Sequence, residues 1–380
     1  MRIEADFVVS LACGDFDRAA VAAYKVKEWG LAGDLAARHQ VESLCWWRLR
    51  HGNEVTVCSP SPSIPDWLSE QWHLAYLHHR LRNESLVRNL TVVHDSLAAR
   101  GIKAMYLKGP WLALCAWPDA GTRPIGDIDL CVGENDYLGT VAALREAGYA
   151  PVEPLPQTYQ EALRKAHFGR QIRFMARGRR PLELHFRLVN LGPPGVEENW
   201  VWHTARDLII GGRILRVPGP EAMLLHLLLH ANQHGFTVLR LLFDIRWALQ
   251  RDAAIRDELE VIARIRQLRF GASAYHALLL ARDLTEAAPV DSLLLALRPH
   301  MARRAVFSLA WNLAAARRLA LTQRHNHTES PRFYLLEMGS LREKAQYLTG
   351  IAGEAGGAGG ILRDAWRHIT LRTGFSRSKC

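Results

Sequence analysis

Between Ile102 and Val217 short apolar segments alternate with helical ones, and this change of period constrains the fold more than any other feature of the chain. A period of two calls for a sheet; a period of three to four calls for helices packed on it. The extended segments are Ile102–Leu107, Ile125–Val132, Tyr149–Val152, Gln171–Ala176, Leu182–Leu188 and Arg213–Val217. Helices are expected from Pro110, over Glu134–Ala147 and over Thr158–His167. Arg177-Gly178-Arg179-Arg180 reads as a hairpin-like turn between two of the strands, and Gly211-Gly212 precedes the last. The fold class that follows is α+β, a mixed sheet core flanked by helical N-terminal and C-terminal regions.

The flanks carry helical patterning only. Residues 1–58 are rich in Ala and Leu, and the three prolines of Ser59-Pro60-Ser61-Pro62-Ser63-Ile64-Pro65 end that region, since proline cannot continue a helix. Asp66 is the expected N-cap of a long helix to about Ala99, with Trp67, Tyr76, Leu77, Leu81, Leu86, Leu90, Val93 and Leu97 on its apolar face and Gly101 ending it. After Pro218-Gly219-Pro220 the pattern is helical again, over Glu221–Gly235, Thr237–Arg251 and on to about Thr349. Gly353 to Gly360 reads as a flexible spacer before a basic tail. Three regions are expected: 1–100 helical, 101–220 the α/β core, and 221–380 helical.

With 380 residues and 49% hydrophobic content the chain can bury a large core, which excludes global disorder, collagen and coiled-coil fibres. Its net charge of +10 favours anionic partners without naming one. The six cysteines form no CxxC pair, so neither a zinc ribbon nor a thioredoxin-like site is indicated. Arg2, Glu4 and Asp6 leave no apolar run for a signal peptide. Ala305 to Ala316 is too short to span a bilayer. The expectation is a cytoplasmic protein without membrane insertion.

The chemistry is concentrated in Arg123-Pro124-Ile125-Gly126-Asp127-Ile128-Asp129-Leu130-Cys131-Val132. On a strand, Asp127 and Asp129 share one face, about 7 Å apart, while Ile128, Leu130 and Val132 enter the core. Paired carboxylates on an otherwise apolar strand need a reason, and sharing divalent cations with phosphate oxygens is one. Upstream, Leu107-Lys108-Gly109-Pro110 passes from strand to helix. Gly109 permits close backbone approach, Pro110 suits a first helical position, and Lys108 adds a charge for a phosphate. Downstream, Glu183, His185 and Arg187 alternate with Leu182, Leu184 and Phe186, so Glu183 is a third carboxylate if the two strands are neighbours.

In this order these motifs resemble the nucleotidyltransferase superfamily related to DNA polymerase beta, and within it the uncharacterised bacterial nucleotidyltransferase family. The resemblance continues through Pro220-Glu221, Leu224 to His230, His234-Gly235, Leu239-Arg240 and Phe243-Asp244-Ile245. One departure is Lys108-Gly109, where the wider superfamily begins its helix with Gly-Ser. The resemblance implies Mg²⁺, or Mn²⁺ in its place, on Asp127, Asp129 and Glu183, with an NTP as co-substrate. A nucleoside monophosphate would pass to an acceptor hydroxyl on a small molecule, a peptide or protein, or RNA, and pyrophosphate would leave. Glu183 either shares the cation that activates the hydroxyl or is the base itself. Lys108 and Arg123 would neutralise triphosphate charge, with Gly109, His185, His230 and His234 beside the nucleotide.

His226, His230 and His234 lie one turn apart on a helix. The stripe reads either as His230 and His234 facing the cleft as polar groups or, because histidines four apart can share a metal, as a zinc site. Arg240 and Asp244 are a helix pair that, if buried, would orient the site. The basic run Arg164, Lys165, Arg170, Arg173, Arg177, Arg179 and Arg180 suits an RNA backbone or an acidic peptide, or equally a solvated sheet edge. Two further readings stay open: a non-catalytic nucleotide-binding scaffold for RNA or a biosynthetic partner, and a toxin-like enzyme acting on tRNA ends.

Overall fold

The computed structural model describes residues 3–52, 62–166, 171–188, 196–234, 236, 238–251, 258–268, 270–287 and 291–301. The apolar stretch at 305–316, the glycine spacer and the basic tail lie outside the described residues, as do Arg170 and the side chains of Arg164 and Lys165.

Four short helices open the chain: α1 (Ile3–Cys13), α2 (Phe16–Ala23), α3 (Trp29–Arg38) and α4 (Glu42–His51). The long helix α5 (Asp66–Ala98) follows, about 50 Å from end to end at the standard rise. Asp66 is its first residue rather than its cap: Pro65 occupies the cap with extended backbone, leaving the Asp66 charge in the first turn, where the helix dipole favours it. The buried stripe is Leu68, Trp72, Tyr76, Asn83, Leu86, Leu90, Val93 and Leu97. Trp67, Leu77 and Leu81, expected on that face, are 51%, 40% and 65% exposed because they fall to one side of it. Gly101, at φ +67°, ends the helix region as expected.

The core is a seven-stranded mixed sheet in the order β3-β4-β5-β2-β1-β7-β6. Its strands are β1 (Ala104–Tyr106), β2 (Ile128–Val132), β3 (Ala150–Pro151), β4 (Ile172–Met175), β5 (Leu182–His185), β6 (Arg206–Ile210) and β7 (Arg213–Val217). β1 runs antiparallel to β2, while β2–β5 and β1–β7 are parallel. β4 and β5 form the expected hairpin. β6, not anticipated, pairs with β7 through Gly211 and Gly212, both at positive φ, which a two-residue hairpin of this twist requires. Between strands lie α6 (Gly109–Trp111), which continues as a π-helical turn over Leu112–Ala116, then α7 (Tyr137–Glu146), α8 (Tyr159–Ala166) and α9 (Val196–His203). All five β2 residues are buried, so this strand is covered on both faces.

Beyond the sheet come α10 (Pro220–Gln233), α11 (Leu239–Arg251), α12 (Glu258–Gln267), α13 (Gly271–Thr285) and α14 (Asp291–Leu297). They lock onto the first helices. Arg246 Nη2 donates to the Cys13 carbonyl at 3.1 Å, the Cys13 thiol to the Leu284 carbonyl at 3.6 Å, and the Arg240 N–H to the His39 carbonyl at 3.2 Å. Burial pushes the Cys13 thiol up to about 12, so it stays protonated. No helix among the described residues is long and apolar enough to cross a membrane.

Candidate active site

The parallel register sets Asp129 beside Glu183 and Cys131 beside His185. Residues paired this way project from the same face, so Asp129, Glu183 and His185 meet there while Ile128, Leu130, Leu182 and Leu184 enter the core on the other. Asp127 lies one residue before β2, and the pairing is prolonged by the Ile128 N–H donating to the Pro181 carbonyl at 2.9 Å.

The Asp129 side chain is wholly buried. Its Oδ1 takes both His185 Nε2, at 2.9 Å, and Lys108 Nζ, at 3.3 Å. Its Oδ2 is buried with no hydrogen-bond partner. Burial opposes its charge, but the Lys108 ammonium and the His185 bond outweigh burial and hold the carboxyl well below the usual range. Asp127 is driven the other way. Burial, then the Asp129 charge, pushes it up to about 6. Glu183 is fixed at both oxygens: Gln171 Nε2 donates to Oε2 at 2.6 Å, and Arg173 Nη2 to Oε1 at 2.7 Å.

α10 brings its histidines to this face. The His226 Nδ1 lies 2.7 Å from the Leu188 carbonyl, which can only accept, so the ring proton is on Nδ1. His226 Nε2 is then a bare lone pair, buried without a partner, and burial followed by Lys108 lowers this ring to about 3. His230 is also held well below its ordinary value by burial and Lys108, and its Nε2 lies 3.4 Å from Lys108 Nζ. A neutral His230 accepts that bond, so Lys108 bridges α10 and Asp129. His234 packs edge-on against His230, ring centres 4.6 Å apart. Among the described residues, the set of three whose donor atoms lie within 4.8 Å of one another is Asp129, Glu183 and His185; the histidine stripe of α10 forms no such set.

Two expected nucleotide contacts are placed differently. Arg123 does not turn to the carboxylates: its Nε and Nη2 donate to Asp244 Oδ1 and Oδ2 at 2.7 and 2.9 Å, with only 4% of its side chain exposed. Asp244 also accepts from Trp117 Nε1 at 2.9 Å and Arg240 Nη1 at 3.1 Å. Arg240 is pulled down to about 10 by burial and by Arg123, a fall that Asp244, Asp127 and Asp129 oppose. The Arg240–Asp244 pair is therefore buried beside the site, not on a surface.

Gly109 is itself buried, at the start of α6, which runs on into the π-helical turn. A Cβ there would lie 3.0 Å from Ile125 Cγ2 and 3.7 Å from the Asp127 carbonyl. Gly109→Ala is expected to displace the segment holding Asp127 and to lower catalytic turnover about tenfold or more with the fold retained, since small misplacements near reacting groups are costly. Turnover assays alongside a circular dichroism spectrum check this.

Patterning did not single out Asn83, Gln171 or the hub role of Asp244. Asn83 is fully buried in α5, donates to the Ala120 and Arg123 carbonyls at 2.6 and 2.7 Å, and accepts from the Ile125 N–H at 3.2 Å. It thereby fixes the loop entering β2. A lone Asn on the apolar face of a long helix was the available signal.

The mixed sheet thus sets an aspartate and a glutamate side by side beneath a lysine. The profile of uncharacterised nucleotidyltransferases matches residues 25–286, and the chain belongs to that family. Two solved structures align with it. The solution structure of the antibiotic-resistance factor ANT(2'')-Ia does so at 17% identity and TM-score 0.36, over 51% of this chain and 97% of that one. The crystal structure of ANT(2'')-Ia in complex with adenylyl-2''-tobramycin does so at 16% and 0.35, over 47% and 97%. No curated protein matches.

Proposed function

We propose that this chain transfers a nucleoside monophosphate from an NTP to an acceptor hydroxyl in a reaction that needs a divalent cation and releases pyrophosphate. The observation that carries this reading is the pairing of Asp129 with Glu183 across two parallel strands, with Asp129 Oδ2 buried and unpartnered beside Lys108. A buried acceptor with no donor is costly unless something binds it, and an oxygen-rich set suits a hard divalent cation. Asp129 and Glu183 would hold that cation, joined by Asp127 once deprotonated. When bound, it would neutralise triphosphate oxygens and lower the pKa of the acceptor hydroxyl.

The chain's own residues do the rest. Lys108, held between Asp129 and His230, presents a positive charge at the mouth of the carboxylate cluster, where a phosphate would be met. Arg173 and Gln171 hold Glu183 in one orientation, one at each carboxylate oxygen. Arg123, through Asp244, braces the loop that carries Asp127.

Incubating the protein with labelled NTPs and a total cell extract tests the function. Label in a small molecule, a protein or RNA, with matching pyrophosphate, supports it and identifies the acceptor class. Nucleotide binding with no turnover in any extract supports a scaffold instead.

The elevated Asp127 sets the expected pH dependence. Below about 6 this carboxyl keeps its proton, which must leave before the oxygen can ligate. Cation affinity is expected to fall up to about tenfold per pH unit as pH drops below 6, and to level off above about 7. Calorimetric titration of the metal-free protein between pH 5 and 8 measures the slope.

A further inference from the structure

We infer that His185 is a cation ligand, and that the site consequently takes Mn²⁺ in preference to Mg²⁺. This rests on the carboxylate site proposed above and specifies its metal.

The three residues whose donor atoms converge are two carboxylates and one imidazole, Asp129, Glu183 and His185. His185 reaches this position because β5 runs parallel to β2: Glu183 lies beside Asp129, and His185 leans back from its place beside Cys131 to bring Nε2 within 2.9 Å of Asp129 Oδ1. Nε2–H donates to Asp129 Oδ1. The other oxygen of Asp129 is buried and unpaired, so the carboxylate has room for a bond that the protein does not itself supply. With a cation bound, the Nε2 proton would be released and the ring would carry its proton on Nδ1, leaving the Nε2 lone pair for the metal.

An imidazole changes which metal fits. Mg²⁺ is a hard ion that prefers oxygen and retains its water, whereas Mn²⁺ accepts carboxylate and is more tolerant of nitrogen. His226 reinforces the local character. Its Nε2 is a second buried lone pair on the same face, without a partner, so the environment is richer in imidazole nitrogen than a carboxylate-only site.

The test uses full-length protein and Mn²⁺ alone, with no nucleotide, read by pulsed electron paramagnetic resonance and by competition with Mg²⁺. The expected result is nitrogen-14 modulation from a directly bound imidazole and a Kd for Mn²⁺ about tenfold or more below that for Mg²⁺. His185→Gln, whose amide can still donate to Asp129, is expected to abolish the modulation, to weaken Mn²⁺ about tenfold or more, and to narrow the Mn²⁺ to Mg²⁺ gap. Bound Mn²⁺ with no nitrogen modulation in the wild type overturns the assignment. So does modulation that persists in His185→Gln, including modulation lost only in His226→Gln. The wild-type spectrum decides even if a variant does not fold. Absence of any Mn²⁺ binding, or binding undiminished in Asp129→Asn, instead overturns the carboxylate site and the proposed function with it.

Discussion

Asp129→Asn is expected to reduce nucleotidyl transfer by about 10³-fold or more, with the chain still folded. Asparagine keeps the shape and can still accept from Lys108 and His185, so the packing between β2 and β5 has little reason to change. What is lost is a charge in a place where nothing can substitute for it. The carboxylate is wholly buried, and its second oxygen has no protein partner. Neutralising it removes the group proposed to hold the cation and leaves Lys108 without its counter-charge. The Asp127 carboxyl should respond in the opposite sense: with the Asp129 charge gone, one cause of its elevation disappears and its titration moves below about 6. Pyrophosphate release with the acceptor-containing extract measures the first effect; activity within tenfold of wild type would sink the site. A carbon-13 titration of the Asp127 carboxyl measures the second.

Asp244→Ala should be the most destabilising change near the site, costing about 3–5 kcal/mol. A single buried carboxylate there receives four hydrogen bonds, two from Arg123, one from Arg240 and one from the Trp117 indole. Removing it leaves two guanidinium groups facing each other in a buried space with no anion between them. Thermal unfolding is expected about 10 °C lower. Asp244→Asn should recover only part of this, since it restores shape but not charge. An unchanged melting temperature in Asp244→Ala would show that Arg123 and Arg240 find other partners. The variant also separates two roles for Arg123. A residue that neutralised triphosphate would affect nucleotide affinity without affecting stability; a brace affects stability first.

The legible part of this molecule was the part written in alternation. The strand expected over Ile125–Val132, which forms over Ile128–Val132, the Glu183 strand, the β4–β5 hairpin and the carboxylate face all follow from side chains of period two around short turns. Membership of the family followed from the same residues. The difficult part lay where a residue's partner is distant in sequence. Arg123 was read as a phosphate ligand because its charge is visible in the chain, whereas Asp244, 121 residues away, is not. His185 on a strand face announces no particular partner until register sets it against Asp129. The α5 stripe was misjudged at Trp67, Leu77 and Leu81 because apolar residues occur on more than one side of that helix, and only packing decides which side is covered. Strand β6 was missed because Arg206 and Asp207 give it a polar start.

The bond from Cys13 to Leu284 joins residues 271 positions apart, and α1 carries the buried residues Phe7, Val8 and Leu11 alongside it. On a ribosome adding about 5–20 residues per second, α1 waits on the order of half a minute for α13 to be made. The surfaces available to it meanwhile are α2, α3, α4 and α5, all of which it meets in the finished protein. Slowing translation between α4 and α13 lengthens that wait, and a chaperone that shields apolar helices would have its longest opportunity there.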